Sequence, residues 1–296
     1  MLLALAALWG ASFMFIKVGV RELEPLTLVG FRMGLGALTL VPIVAVTVGR
    51  QALAQLRAAA WPLVLTGLVN SAIPILAISW AETRIDSGLT AIIQASAPLF
   101  TALLALRFSR SERVSGARLA GLLVGFAGVT LLVGAQPSGE ALAALAVVFS
   151  AVCYAVAALY TSARLSTVSP LVTSLGALTT ATLATLPLGL AQLPDHVPGW
   201  KVTGSVLVLG IAGTGLAYIL YYALLAGAGA SRSILITYLV PVFALGYGAL
   251  LLDEPVTAAA IAGLALVLGG VALGTGAVRV TRLRRARFTG ETRFPP

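Results

Sequence analysis

The sequence predicts an all-α polytopic membrane protein, with ten transmembrane helices set as two inverted five-helix repeats and both termini cytoplasmic. Three observations lead there. The 296 residues are 59% apolar and 10% charged, and mean hydropathy is +1.02; soluble domains carry roughly 25% charged residues. The second half repeats the first. The charges that flank matching elements reverse between the copies, as expected of two oppositely oriented repeats.

Ten apolar segments of about 20 residues each match a bilayer core of ~30 Å. They are residues 2–20, 26–48, 61–81, 87–106, 114–134, 141–162, 170–192, 202–225, 232–252 and 257–278. Polar or turn-forming stretches such as Arg21-Glu22-Leu23-Glu24-Pro25 and Gln136-Pro137-Ser138-Gly139 separate them. The Asp86-Ser87-Gly88 break is short, so segments three and four form a tight hairpin.

The repeat is legible residue by residue. Glu24-Pro25-Leu26 with Pro42 recurs as Ser169-Pro170-Leu171 with Pro187. Pro98-Leu99-Phe100 recurs as Pro241-Val242-Phe243, and Gly121 with Gly128 as Gly263 with Gly270. The loop after the first Pro-x-Phe helix holds Arg107, Arg110, Arg113 and Arg118, whereas its counterpart holds Asp253 and Glu254. The predicted organisation is a first repeat over 1–135, a second, inverted repeat over 136–278 and a basic cytoplasmic tail over 279–296.

Cations set the orientation. Arg50, Arg57, Arg107, Arg110, Arg113, Arg118, Arg164, Arg232 and the tail arginines 279, 282, 284, 285, 287 and 293 fall on one side, fourteen in all. Arg21, Arg84 and Lys201 fall on the other. This asymmetry puts both termini in the cytoplasm. The same placement explains the net charge of +9 without nucleic acid, and the tail reads as a topology anchor near anionic lipid. The apolar N-terminus lacks a basic n-region and runs straight into a multi-span pattern, unlike a signal peptide. Gly30-x-x-x-Gly34 and Gly121-x-x-x-Gly125 are small-residue pairs that let helices approach closely in lipid. Cys153, the single cysteine, forms no internal disulfide.

No metal set, Ser–His pair, carboxylate pair or phosphate loop is present, and the one histidine, His196, sits in an outer loop. These features argue against catalysis and predict neither metal nor cofactor. The charged residues in or beside the segments are Lys17, Arg32, Glu82, Arg84 and Asp86, all toward the outer ends. They read as an outer salt-bridge cluster with snorkelling stems, or more sharply as an external gate formed by Lys17, Arg32, Glu82 and Asp86.

The centre is polar but uncharged. Candidates for lining a cavity are Trp9, Ser12, Asn70, Gln94, Tyr154, Tyr218, Tyr222, Thr237 and Tyr238, and such walls suit a small amphipathic solute. Proline frees the carbonyl four residues before it. Pro98 therefore frees that of Gln94, and Pro241 that of Thr237. Matched helix breaks point to a transporter site, which makes Pro74, Pro98 and Pro241 candidate hinges.

At these residues the chain resembles the drug/metabolite transporter superfamily, specifically ten-span exporters with two EamA-type repeats. The matching pieces are Leu8-Trp9-Gly10-Ala11-Ser12-Phe13 with Lys17, then Phe31-Arg32, then Ala97-Pro98-Leu99-Phe100 with Glu112, and Val240-Pro241-Val242-Phe243 with Glu254 and Gly263. The resemblance implies export of amino acids or other small metabolites across a bacterial-type inner membrane. It also implies a central cavity lined mainly by segments three, four, eight and nine. Aromatic amino acid exporters are the subgroup it brings nearest. The second copy departs from the pattern: Tyr154-Ala155 replaces Trp9-Gly10, and Ser162 and Ala177 replace Lys17 and Arg32. A charged gate is therefore expected on the outer side alone. Partners are a small-molecule substrate and the lipid bilayer. Two alternatives stay open, an anionic-metabolite exchanger of the sugar-phosphate or nucleotide-sugar type and a non-transport scaffold. Proton coupling and facilitated movement are likewise both open.

Overall fold

The computed structural model describes residues 1–108, 116–228 and 235–274. Arg110, Glu112, Arg113, Arg232 and the tail arginines, on which much of the orientation argument rests, lie outside the described residues, as does the Arg107 side chain. Within them the chain is helical and has no strand. A lipid-facing backbone must satisfy its own polar groups, and helices do this within one segment.

The helices are α1 (Leu2–Gly19), α2 (Pro25–Thr47), α3 (Gln51–Ala58), α4 (Ala60–Gly67), α5 (Ile73–Glu82), α6 (Ser87–Gln94) and α7 (Ala97–Phe108). They continue as α8 (Gly116–Gly134), α9 (Ser138–Arg164), α10 (Pro170–Leu190), α11 (Trp200–Leu207), α12 (Ala217–Ala228), α13 (Leu235–Leu251) and α14 (Ala258–Gly274). A π-helical segment, Leu68–Ala72, joins α4 to α5, and a second, Val208–Leu216, joins α11 to α12.

Local chemistry sets many of the ends. Pro25 and Pro170 open α2 and α10 behind extended N-cap residues Glu24 and Ser169, where the missing N–H costs nothing. Gly49 closes α2 at φ +63°, a conformation glycine adopts without a Cβ clash.

Among the described residues, eight helical stretches are long and apolar enough to cross a membrane, and two shorter apolar helices, Leu235–Leu251 and Ala258–Gly274, follow. The polar helix α3 was not expected. It lies at one end of the bundle, where Gln55 Oε1 accepts the Ser169 N–H at 2.8 Å. The outer surface is apolar: Leu38, Trp61, Leu123, Leu183 and Leu250 are all exposed, as suits a chain whose solvent is hydrocarbon.

The main pairings are α2 with α10, α8 with α14, α1 with α13, α9 with α7 and with α5, α2 with the second π-helical segment, and α10 with α4. Exchanging counterparts between the halves maps α2–α10 and α8–α14 onto themselves and α1–α13 onto α9–α7. One apolar core gathers Leu28, Met33, Leu40, Leu178 and Leu209. A second gathers Ile92, Leu99, Leu132, Val147 and Val267.

Candidate functional site

The two π-helical segments occupy corresponding places in the two halves. In the first, the Ile73 N–H bonds Leu68 O, five residues back, and Pro74 follows with no N–H to give. In the second, Gly210 and Gly215 thin the side against α2 and Gly213 the side against α1. A π turn inside a helix leaves backbone groups off the regular ladder and is frequent at functional sites. The sequence held the signals, Pro74 and the glycines, but periodicity alone does not register an extra residue per turn.

The missing side chains let α1 and α2 close on the second π-helical segment. A Cβ at Gly213 would meet Ser12 Oγ at 2.9 Å, and a Cβ at Gly36 would meet Thr214 Cγ2 at 2.7 Å. There Arg32 Nε donates to Thr214 Oγ1 at 3.1 Å, while the Thr214 hydroxyl donates to Leu209 O at 2.8 Å. Ser12 Oγ donates to Leu8 O in its own helix.

Next to this contact stands an aromatic cluster drawn from both halves. Trp9 and Tyr221 have ring centroids 5.5 Å apart, Tyr221 and Tyr222 5.4 Å, and Tyr218 and Tyr222 6.2 Å. Ser174 Oγ shares a 2.9 Å hydrogen bond with the Tyr222 hydroxyl. Asn70 sits beside the Tyr218 hydroxyl. Arg32 acts electrostatically on Tyr154 and Tyr218. Trp9, Asn70, Tyr154, Tyr218 and Tyr222 are thus brought together, each singled out from sequence. Ser174 was missed, because a serine in an apolar helix carries no mark of its partner. Arg32 is buried deeper than an outer-end cation, about 10 Å along α2 from Pro25 at 1.5 Å per residue.

Gln94, Thr237 and Tyr238 are not part of this cluster. No hydrogen bond or ring contact among the described residues joins them to the tyrosines. Gln94 Oε1 and the Tyr238 hydroxyl are buried without a hydrogen-bond partner, and Tyr238 packs with Trp80 against the second core. The proline pattern is asymmetric. The helix stops at Gln94 and restarts at Ala97 beside Pro98, but α13 runs unbroken through Pro241. The irregularity that recurs between the halves is therefore the π-helical pair, not a break at both prolines.

The outer charges do not pair as expected. Among the described residues, Lys17, Arg32, Glu82 and Asp86 make no salt bridge with one another. Lys17 Nζ instead donates to Glu82 O at 2.8 Å and Ile85 O at 2.7 Å. These carbonyls lie where α5 ends and lack helical partners, and a helix C-terminus attracts a cation. Glu82 is completely buried, and neither carboxylate oxygen has a hydrogen-bond partner. Arg84 is exposed, with its guanidinium 4.1 Å above the Trp80 ring.

Asp86 precedes α6. Burial pushes its carboxyl up, the Glu254 charge adds to this, and Lys17 opposes it. The folded chain therefore holds this proton to higher pH than an unfolded aspartate at ~3.9. The stabilisation is full below that value and lost as pH rises through the folded pKa. Asp86→Asn is expected to raise the melting temperature at pH 8 and to change it little near pH 3.5. Thermal unfolding in detergent at both pH values checks this.

The two halves each match the EamA-like transporter family, over residues 1–134 and 141–275. The chain is 29% identical to a "Probable amino-acid metabolite efflux pump" of Salmonella typhimurium, covering 96% of each protein. It is 28% identical to a "Probable terminal-alkyne amino-acid exporter" of Streptantibioticus cattleyicolor, covering 90% of this chain and 89% of that one. An "Uncharacterized transporter" of Archaeoglobus fulgidus is 28% identical over 89% of this chain and 93% of its own length. A solved structure at 21% identity superposes with a TM-score of 0.66 over 93% of this chain and 96% of that one, a likeness of fold.

Proposed function

The chain belongs to the EamA-like transporter family, and on that premise we propose that it exports a small amphipathic metabolite, an amino acid, across a cytoplasmic membrane by alternating access. The observation that carries this reading is the aromatic and amide cluster gathered from both halves beside two matched π-helical segments. Trp9, Ser12, Asn70, Tyr154, Tyr218 and Tyr222 form one wall of the binding cavity. Gln94, Thr237 and Tyr238 form the other, with buried polar atoms able to meet an amino or carboxyl group. The π-helical segment before Pro74 and the interruption at Pro98 are the bending points, and Pro241 kinks α13. Lys17, Glu82 and Asp86 control the outer end, while Arg32 lies deeper, against Thr214. The names of the Salmonella and Streptantibioticus relatives support the substrate class.

In this reading α13 and α14 complete ten spans, set as inverted repeats over 1–135 and 136–278 with both termini cytoplasmic. The self-matching pattern of helix pairings supports the repeat.

The test is amino-acid counterflow in vesicles containing purified protein. Gln94→Ala and Tyr222→Ala are each expected to lower flux roughly tenfold, the equivalent of ~1.4 kcal/mol, with normal insertion and elution. Unchanged flux in both removes the site assignment. One observation favours a second reading, exchange of an anionic metabolite: Arg32 is buried beside Tyr154 and Tyr218, at a depth where it can meet an anion. Competition by a phosphate ester but not by amino acids selects that reading.

A further inference from the structure

Glu82 holds the one described carboxyl group that is wholly buried with both oxygens unpartnered. The charges that act on it are Lys17 from α1, Arg32 from α2 and Glu254 from the loop after α13. Asp86, before α6, and Glu140, in the first turn of α9, act on each other at the same end of the bundle. Two cations are thus near, yet neither donates a hydrogen bond to the carboxylate. An ionised carboxylate without hydrogen bonds is a costly group to bury, and it responds by taking a proton. The cation best placed to stop this, Lys17, spends two of its three donors on the carbonyls of Glu82 and Ile85. One of those carbonyls belongs to Glu82 itself, so Nζ already stands beside the residue whose carboxylate would draw it.

We propose that Glu82 is a proton-binding site: it is protonated in the arrangement seen here and ionised when its carboxylate draws Lys17 away from the two carbonyls. One proton leaves the carboxyl as the Lys17–Glu82 ion pair forms, and one returns as the pair breaks. Losing both carbonyl bonds releases α1 from the turn between α5 and α6. Protonation therefore fastens this end of the bundle and deprotonation loosens it. A cavity of about 60 Å³ lined by Asp86, Gln136, Glu254 and Thr257 opens at Glu254, one of the charges that act on Glu82. This rests on, and deepens, the exporter reading, because such a site would couple export to a proton gradient.

The proton site is tested without any substrate, by infrared titration of the purified protein in lipid nanodiscs. The wild type is expected to show the C=O stretch of a protonated carboxyl at pH 7. That band is expected to vanish in Glu82→Gln and to survive in Asp86→Asn. In Lys17→Met the ionised form loses its partner, so the band is expected to persist to higher pH than in the wild type. A wild type without the band, a band unchanged in Glu82→Gln, or identical titrations of wild type and Lys17→Met overturns the proposal. Glu82→Asp keeps a titratable group should Glu82→Gln fail to fold, and is expected to shift the pH of the transition. Coupling is read in vesicles with a trapped pH dye. Amino-acid flux is expected to move protons in the wild type and not in Glu82→Gln; equal proton movement in both overturns it. If no amino acid moves in the wild type, the substrate reading falls while the infrared result still judges the proton site.

Discussion

Gly270→Leu is expected to lower the melting temperature by roughly 6 °C or more. A Cβ at Gly270 would fall against the backbone of Gly125 and 2.7 Å from Gly121 O. One at Gly121 would meet the Gly274 amide and lie 2.7 Å from the Leu273 carbonyl carbon. Here α8 and α14 touch backbone to backbone. Overpacking costs about 1–3 kcal/mol when side chains can yield. Backbone cannot yield, so about 3 kcal/mol is expected, and each kcal/mol lowers the midpoint by ~2–4 °C in a chain of this size class. Gly269→Leu is the control. Nothing lies within 4 Å of a Cβ there, and its midpoint should match the wild type. Thermal unfolding in detergent distinguishes the two. Equal midpoints would mean that the α8–α14 contact is not this close.

Glu254→Ala is expected to cost about 3 kcal/mol. The Glu254 carboxylate accepts from the Ser87 N–H at 2.9 Å, the Ser87 hydroxyl at 2.9 Å and the Gly88 N–H at 3.1 Å. It caps the first turn of α6 from the far end of the sequence. Hydrogen bonds to a charged group contribute ~1.5–3 kcal/mol each, but three bonds to one carboxylate are not additive. Removing it leaves buried amides unpaired at the positive end of a helix. Glu254→Gln keeps one oxygen as acceptor and is expected to lose about half as much. Hydrogen exchange at the Ser87 and Gly88 amides should quicken in step with the lost stability. Gly248→Ala offers a check that keeps residue 254 a glutamate but displaces its carboxylate, since the new Cβ would collide with Glu254 Oε2.

Both effects concern residues that the sequence had already picked out, yet neither effect could be read there. Gly121 and Gly125 were visible as a small-residue pair, but nothing local says that α14 is the partner. Asp253 and Glu254 were visible as a charge reversal between repeats. That Glu254 reaches back 167 residues to Ser87 is a consequence of packing. Lys17 is a sharper case. A lysine near two acids reads as an ion-pair partner, but the unpaired carbonyls where α5 ends compete for the same donor, and only coordinates reveal that they hold it.

The membrane segments were legible because burial in lipid demands long apolar runs whatever the tertiary arrangement. Expected segments at 26–48, 61–81 and 202–225 became Pro25–Thr47, Ala60–Glu82 and Trp200–Leu224, shifts of one or two residues. By itself, then, the sequence determined a helical membrane chain, its duplication and the aromatic residues of a candidate cavity, since composition and recurrence are local properties. Tertiary structure alone decided which glycines meet, where the helices take an extra residue per turn, and that Glu82 lies buried without a partner. Each of those depends on which atoms approach across segments far apart in the chain, and hydropathy and spacing do not encode such distances.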